Sequence, residues 1–194
     1  MADPISVNDP TIAATENTGA TTSGGTFPPR YRISGSLGAG GMGEVLLATD
    51  SQIDREVAIK RMLHEPTGPA VARFLREAKV QGRLDHPAIV PVHELASDSE
   101  GRPFFVMKRL VGTTLGDVLA RYTSDPRYTR PKLLRSFADV CRAIELAHSR
   151  NVIHRDLKPA NIMLGDYGEV YVLDWGIARV LGETDPIRAT ATRW

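Results

Sequence analysis

The stretch LGAGGMGEVLLATD, residues 37–50, constrains the fold of this chain more than any other feature. Gly38, Gly40 and Gly43 follow the spacing G-x-G-x-x-G, whose glycines let a backbone approach phosphate oxygens and offer N–H groups unobstructed by a Cβ. In a dinucleotide-binding Rossmann fold this turn leads from a strand into a helix. Here Gly43 is followed by EVLLATD, a strand pattern. The sequence therefore favours a hairpin whose glycine loop folds over a nucleotide, with a plain hairpin turn as the alternative, and it disfavours a Rossmann oxidoreductase.

The remaining patterns divide the chain into a β-rich half and a helical half. Strands are predicted in RYRISGSL, EVLLATD, EVAIKRM, IVPVHELA and PFFVMKRL, the last two joined by the polar turn SDSEGR. One helix is predicted in this half over residues 69–84, which open on proline and place Val71, Phe74 and Ala78 on one face. After a junction near residues 108–113, helices are predicted in TTLGDVLARY and PKLLRSFADVCRAIELAHSR, followed by two small strands, NIML and EVYVLD.

The first 29 residues differ in composition from the rest. They are rich in Thr, Ala, Gly, Pro, Ser and Asn, and their only charged residues are Asp3, Asp9 and Glu16. Without periodic apolar residues this segment cannot bury enough surface to offset the entropy of ordering. Residues 1–29 are therefore predicted to be a disordered tail.

Charge, hydropathy and cysteine content narrow the class of protein. The formal net charge of +1 does not point to nucleic acid, and none is expected as a partner. No apolar run reaches the roughly 18 residues that span a bilayer, and the N-terminus lacks a secretory signal. A cytoplasmic location is expected, with a membrane anchor beyond residue 194 left open. Cys141 is the single cysteine, which fits a reducing compartment, and its helical spacing among apolar residues predicts a buried side chain.

Two oppositely charged residues form the first candidate pair of site residues. Lys60 ends the strand pattern VAIK, 17 residues after Gly43, as a two-strand hairpin requires, so its side chain would lie beside the phosphates. Glu77, in the predicted helix, is the candidate partner that holds this cation. The alternatives are a solvent-facing Lys60 and a surface pair of Glu77 with Arg73, worth a few tenths of a kcal/mol.

The segments HRDLKPAN and DWG supply the remaining candidates for chemistry. Asp156 can orient and deprotonate a hydroxyl, and Lys158 can neutralise a phosphoryl group in transfer. Asn161 and Asp174 can hold Mg²⁺ between phosphate oxygens, although D-x-G taken alone is a common turn. Phosphoryl transfer depends on in-line positioning and charge stabilisation more than on covalent catalysis. This requirement explains why several charged and polar residues lie close together in one loop.

Taken together, these motifs resemble the protein kinase signature set in order and spacing over residues 31–194. The forms DLKPAN, GAGGMGEV and HPAIV resemble the bacterial, eukaryotic-like (Hanks-type) serine/threonine protein kinases. The resemblance implies an α+β, bilobal protein-kinase-like fold with a five-stranded antiparallel N-lobe, one helix and an incomplete helical C-lobe. The kinase domain would span residues 30–194, with its N-lobe over about 30–108 and a partial C-lobe over about 112–194.

The resemblance also implies a serine/threonine kinase that uses ATP and Mg²⁺ and acts on protein substrates. Adenine would lie against Val45, Ala58 and Met163, and its edge would meet backbone groups of Lys108 and Leu110, with Met107 as gatekeeper. The residues implied around the phosphates are those of the glycine loop, namely Leu37, Gly38, Ala39, Gly40, Gly41, Met42, Gly43 and Glu44.

Three features depart from the family pattern. Trp175 replaces the usual Phe, which predicts altered packing more than lost chemistry. Lys108 stands where an acidic residue is common, and only its backbone would be needed. The chain stops inside the activation segment, before the A-P-E element, so it is expected to be inactive and poorly soluble by itself. A truncated, non-catalytic module that binds nucleotide or a partner is the alternative function.

The resemblance implies regulation by self-phosphorylation as well. Arg155 would pair with a phosphothreonine and order the activation segment. Thr190 and Thr192 are the candidate acceptors, ahead of Thr184.

Overall fold

The first half of the chain forms a five-stranded antiparallel sheet in a computed structural model that describes residues 26–40, 43–62, 68–121 and 126–183. Along the sheet the strands lie in the order β1-β2-β3-β5-β4. The strands are β1 (Tyr31–Gly40), β2 (Gly43–Asp50), β3 (Arg55–Arg61), β4 (Val92–Ser97) and β5 (Pro103–Lys108). All five were predicted, although β4 begins three residues later than its apolar pattern suggested.

The predicted helix of this half, α1 (Gly68–Arg83), connects β3 to the edge strand β4. Its apolar face rests on the sheet, where the rings of Phe74 and Phe105 lie 5.2 Å apart. Towards its C-terminal end, the side-chain amide of Gln81 donates a hydrogen bond to the carbonyl of Val90 at 2.8 Å. Helix α1 is therefore attached to the sheet along one face.

The second half contains the two predicted helices and several short strands. The helices are α2 (Leu115–Ala120) and α3 (Arg130–Ser149), and the strands are β6 (Thr113–Thr114), β7 (Val152–Ile153), β8 (Ile162–Leu164), β9 (Val170–Val172) and β10 (Arg179–Val180). Helix α2 starts later than predicted because Thr113 and Thr114 pair with β8. The Thr114 hydroxyl then caps the helix by accepting from the backbone N–H of Asp117 at 3.1 Å.

Hydrophobic contacts join the two halves. One core cluster runs from Val80 of α1 and Leu84, which directly follows that helix, to Trp175 and the buried residues of α3. A second cluster joins the sheet to Met163 and Leu173. Because both clusters cross the junction, side chains from each half are held at fixed positions relative to the other.

Helix α3 does not bury Cys141, which its apolar spacing predicted to be buried. Its buried residues are Val140, Ala143 and Ala147, which lets the helix lie close to β7 and β9. Phe137 is 61% exposed, and Cys141 is exposed as well, so the prediction of a buried cysteine is wrong. The physical reason is that the two small alanines, rather than the larger apolar residues, permit close packing.

No helix in the described ranges is both long and apolar enough to cross a membrane. The predicted tail lies almost entirely outside these ranges. The expectation that the chain by itself is inactive and poorly soluble stays a prediction.

Candidate active site

The glycine loop is the end of a long hairpin between β1 and β2. The strands pair from Tyr31 opposite Asp50 to Gly40 opposite Gly43, and the register shifts at two places along β1. A Cβ at Gly43 would come within 2.1 Å of the Arg61 carbonyl oxygen on β3, so only glycine fits there. The two tip residues, Gly41 and Met42, lie outside the described residues. The hairpin brings Gly38 and Ala39 opposite Val45 and Glu44, beside the sheet.

Glu44 has a structural partner within this hairpin. Its carboxylate accepts a hydrogen bond from the Arg61 guanidinium on the neighbouring strand, and both side chains are largely buried. The side chain of Glu44 therefore stabilises the base of the loop, and a role toward phosphate would fall to its backbone.

Six of the residues expected around the nucleotide belong to one apolar cluster. They are Leu37 of the glycine loop and the residues predicted near adenine, namely Val45, Ala58, Met107, Leu110 and Met163. Met163 comes from the second half of the chain and the others from the first half or the junction. The folded chain thus brings together, between its two halves, the apolar residues that the motifs placed far apart in sequence.

Lys108 makes contacts that the sequence did not predict. Its backbone N–H donates to the Pro91 carbonyl at 3.1 Å, so that group is not available to a ligand. Its ammonium group donates to the Tyr171 hydroxyl and lies 4.9 Å from the centre of the Tyr171 ring. Sequence reasoning missed this contact because 63 residues separate the two partners, and no local pattern connects them.

Lys60 and Glu77 form the predicted pair. The Lys60 Nζ atom lies 2.5 Å from Glu77 Oε1, which favours this arrangement over a solvent-facing lysine or a pair of Glu77 with Arg73. The Glu77 side chain is only 3% exposed, and its other oxygen, Oε2, has no hydrogen-bond partner among the residues that the structure describes. A buried carboxylate of this kind depends on its cation, so the position of α1 decides whether Lys60 is held in place.

Asp156, Lys158 and Asn161 form a hydrogen-bonded group in the segment HRDLKPAN, residues 154–161, which we call the catalytic-loop segment. Lys158 Nζ lies 3.1 Å from Asp156 Oδ2, and the Asn161 amide donates to the same oxygen and to the Asp156 carbonyl, each at 2.9 Å. The Lys158 ammonium, followed by the Asn161 amide, lowers the pKa of Asp156 below its ordinary value. Asp156 is therefore a carboxylate at neutral pH, ready to accept a hydrogen bond from a hydroxyl.

His154 joins the catalytic-loop segment to the DWG segment, and sequence reasoning assigned it no role. Its Nδ1 accepts from the backbone N–H of Asp156 at 3.2 Å, and its Nε2 lies 2.9 Å from the Leu173 carbonyl. This pair of contacts requires a neutral ring with the proton on Nε2. The ring also packs edge-on against Trp175, with centroids 4.6 Å apart. The motif did contain a signal for this role, because a histidine two residues before Asp156 can hydrogen-bond to the backbone of Asp156 and fix its conformation.

Asp174 occupies an unusual backbone conformation. Its φ is 57°, in the left-handed region that Asp and Asn tolerate better than most residues, and its Oδ1 accepts from the Gly176 N–H at 3.2 Å. The neighbouring Leu173 N–H donates to the Asn161 carbonyl at 2.8 Å, which ties the two candidate metal ligands to adjacent backbone. Because both donors of the Asn161 amide nitrogen are bound to Asp156, its oxygen is left as a ligand. One carboxylate and one amide oxygen suit Mg²⁺, which usually binds few protein groups together with substrate phosphates and water.

The buried imidazole of His154 predicts pH-dependent stability. Burial is the main cause that lowers the pKa of His154 below 6.5, against smaller opposing effects of the Leu173 carbonyl, Asp174 and Asp156. The unfolded chain therefore binds more protons than the folded protein once the pH falls below about 6.5. We expect the free energy of unfolding to be highest above that pH and to decrease as the pH falls toward the lower, folded-state pKa.

Urea unfolding at pH 7.5 and pH 5.5 measures this effect, and His154→Gln should narrow the difference between the two midpoints. His93, whose pKa burial also lowers, contributes in the same direction, so His93→Gln should remove a separate part. An unchanged difference in the His154→Gln variant would contradict the assignment.

The sequence of the chain is similar to those of known proteins. The family described as the protein kinase domain matches residues 31–194. The serine/threonine-protein kinase PknD of Protochlamydia amoebophila is 38% identical over 167 residues, which are 79% of this chain and 17% of that protein. A probable serine/threonine-protein kinase, PknB of Corynebacterium glutamicum, is 40% identical over 160 residues, which are 80% of this chain and 24% of that protein. The chain thus spans about a fifth of the length of the curated relatives that it matches.

Proposed function

Since the chain belongs to the protein kinase family, of the bacterial Hanks type, we propose that its site transfers the γ-phosphoryl group of ATP to a serine or threonine hydroxyl of a protein. One observation carries the proposal: Lys60 and Asp156 each already contact a partner that this chemistry requires. Lys60 is bound to Glu77, and Asp156 is bound to Lys158 and Asn161. The domain proposed for this activity spans residues 30–194, with its N-lobe ending near residue 108.

Lys60 and the glycine hairpin would position the phosphates of ATP. Glu77 keeps the Lys60 ammonium pointed away from solvent, so the cation is available without first losing a full hydration shell. The backbone of residues 37–44 would cover the phosphates, and the apolar cluster around Met163 would hold the base. Asn161 and Asp174 would hold Mg²⁺, which would supply positive charge to stabilise the phosphates.

Asp156 would orient the acceptor hydroxyl and accept its proton. While Lys158 is bound to it, the lowered pKa makes this carboxylate a weak base and a good hydrogen-bond acceptor. If Lys158 turns to the phosphoryl group in transfer, the main cause of the lowered pKa is removed. Asp156 then becomes a stronger base at the stage when the hydroxyl proton must leave.

We also propose that the protein phosphorylates its own activation segment in the cytoplasm. Thr190 and Thr192 are the proposed acceptors, and both lie outside the described residues. Arg155 is the proposed partner of the phosphate, and its Nε currently donates to the Ile177 carbonyl at 2.6 Å, beside the DWG segment. Its φ of 69° lies in the left-handed region, so Arg155 does not have the backbone conformation of a regular strand.

The direct test is a kinase assay on the full-length protein with Mg²⁺-ATP and a generic basic protein as acceptor. We expect transfer to serine or threonine, and Lys60→Met is expected to lower kcat/KM for ATP about 100-fold because charge stabilisation of the phosphates is lost. The exposed Lys79 on α1 provides the matched control, and Lys79→Met should retain wild-type activity. Nucleotide binding without any transfer by the wild-type protein would instead support a non-catalytic module.

Mass spectrometry of the same reaction would locate phosphate on Thr190 or Thr192.

A further inference from the structure

Arg61 meets Glu44 at the point where the hairpin of β1 and β2 leaves the rest of the sheet. Pairing of β2 with β3 ends with Glu44 opposite Arg61, whereas pairing of β2 with β1 continues to Gly43. The Glu44 carboxylate accepts a hydrogen bond from the Arg61 guanidinium, and the two side chains are 13% and 8% exposed. The Arg61 carbonyl also lies against Gly43. Arg61 therefore contacts the hairpin with both its backbone and its side chain.

The Arg61–Glu44 pair lies on the face of the sheet opposite to the candidate nucleotide site. Successive side chains of a strand point to opposite faces. On β3, Ala58 belongs to the apolar cluster expected around the nucleotide, and Ile59 belongs to a separate cluster. Lys60 therefore shares the face of Ala58, whereas Arg61 shares that of Ile59. A residue that acts on Arg61 can thus affect the hairpin without contacting the nucleotide.

Phe27, from the segment before β1, packs on the Arg61 guanidinium. The central carbon of the guanidinium, Cζ, lies 5.4 Å from the centroid of the Phe27 ring, within the range of a cation–π attraction. The Phe27 ring lies edge-on against the fully buried ring of Phe104, with centroids 5.1 Å apart. Because Arg61 is largely buried, water competes little with the ring for its charge. The guanidinium therefore contacts an aromatic ring and a carboxylate at once.

The segment before β1, residues 26–30, is attached to the sheet at both ends. At one end, the backbone N–H of Thr26 donates to Ser99 Oγ at 2.8 Å, and the Ser99 N–H donates to the Thr26 carbonyl at 3.1 Å. At the other end, Arg30 Nη2 lies 3.0 Å from Oδ2 of Asp50, whose side chain is only 2% exposed. These contacts fix the backbone on both sides of the aromatic ring.

From these contacts we propose that Phe27 is a positioning residue for the nucleotide site. Phe27 holds the Arg61 guanidinium against Glu44, and that pair holds the hairpin in the arrangement whose backbone would cover the phosphates of ATP. The inference rests on the proposed kinase function, and it adds a residue that precedes the family match, which begins at residue 31. When the contact with Phe27 is lost, a smaller fraction of the protein has the hairpin in that arrangement. The apparent affinity for ATP falls by the same factor.

The test compares Phe27→Leu with the wild type in the full-length protein. Leucine keeps most of the apolar contact but has no ring face for the guanidinium. We expect the KM for ATP, and the dissociation constant of ATP measured by calorimetry, to rise about fivefold while kcat changes less than about twofold. Such a split indicates lost positioning of the nucleotide, because binding of the ground state and of the transition state is weakened equally.

The background Arg61→Gln/Glu44→Gln shows whether Phe27 acts through the ion pair. It removes both charges together, so that no buried charge is left unpaired. In this background, Phe27→Leu should change the dissociation constant of ATP less than about twofold. Val106→Ala is the matched control, because Val106 is buried in the same apolar cluster as Phe104. This substitution should lower the unfolding midpoint without weakening the binding of ATP.

Amide hydrogen exchange tests the positioning role without nucleotide. In Phe27→Leu, exchange should become faster at residues 43–47 of β2 and stay unchanged in α3. An unchanged dissociation constant in Phe27→Leu, or equal changes in the two backgrounds, would overturn the inference. A wild-type protein that binds no ATP would instead overturn the proposed function, and the exchange rates would then decide whether Phe27 holds the hairpin.

Discussion

Replacing Asp156 with asparagine is expected to lower kcat at least about 1,000-fold, while the dissociation constant for ATP changes less than about threefold. Asparagine keeps the size of the side chain but removes the negative charge that accepts a hydrogen bond, and then a proton, from the acceptor hydroxyl. The residues expected to contact ATP are not altered. The effect should therefore appear in the chemical step and not in nucleotide binding.

Turnover measured with a protein acceptor, together with calorimetric titration of ATP, would separate these two effects in the full-length protein. Asp166→Asn is the control, since Asp166 is an exposed acid in the turn between β8 and β9 and has no proposed role. Wild-type turnover in Asp156→Asn would show that the assignment of Asp156 is wrong. A large loss of ATP affinity would show that Asp156 acts mainly in binding.

Replacing Trp175 with alanine is expected to lower the free energy of unfolding by about 3–5 kcal/mol, the range for deleting a large buried aromatic side chain. Trp175 is 1% exposed and lies in the cluster that joins α1 to α3. Its indole N–H donates to the Val172 carbonyl at 3.3 Å, and its ring contacts His154. Alanine would leave a cavity between the two halves and remove both contacts.

The matched variant is Trp175→Phe, which replaces the indole with a smaller aromatic ring. It keeps an aromatic ring beside His154 and is expected to cost about 1–2 kcal/mol, since the loss of volume is smaller. Urea unfolding of the full-length protein, followed by circular dichroism, would measure both variants. Equal unfolding midpoints for Trp175→Ala and the wild type would contradict the view that Trp175 joins the two halves.

Sequence patterns were sufficient for most of the fold where they had a clear physical cause. The apolar patterns predicted seven strands and three helices, since burial of one face requires such spacing. The strand pattern after Gly43 correctly separated a hairpin from a Rossmann turn. Two-residue strands such as β7 and β10 were missed, because so short a segment carries no period and forms only where a partner strand is already in place.

By itself, the sequence determined which residues can supply charge to the candidate site and where the chain turns. Lys60, Asp156 and Asp174 could be named because their motifs hold local chemistry within a few residues. Burial and pairing across long separations were decided only by the tertiary structure. Cys141 is exposed because Ala143 and Ala147 take the packed face of α3. Lys108 meets Tyr171, and Arg76 meets Glu183, 107 residues later. Such contacts arise when the two halves pack together, and no periodicity within either segment encodes them.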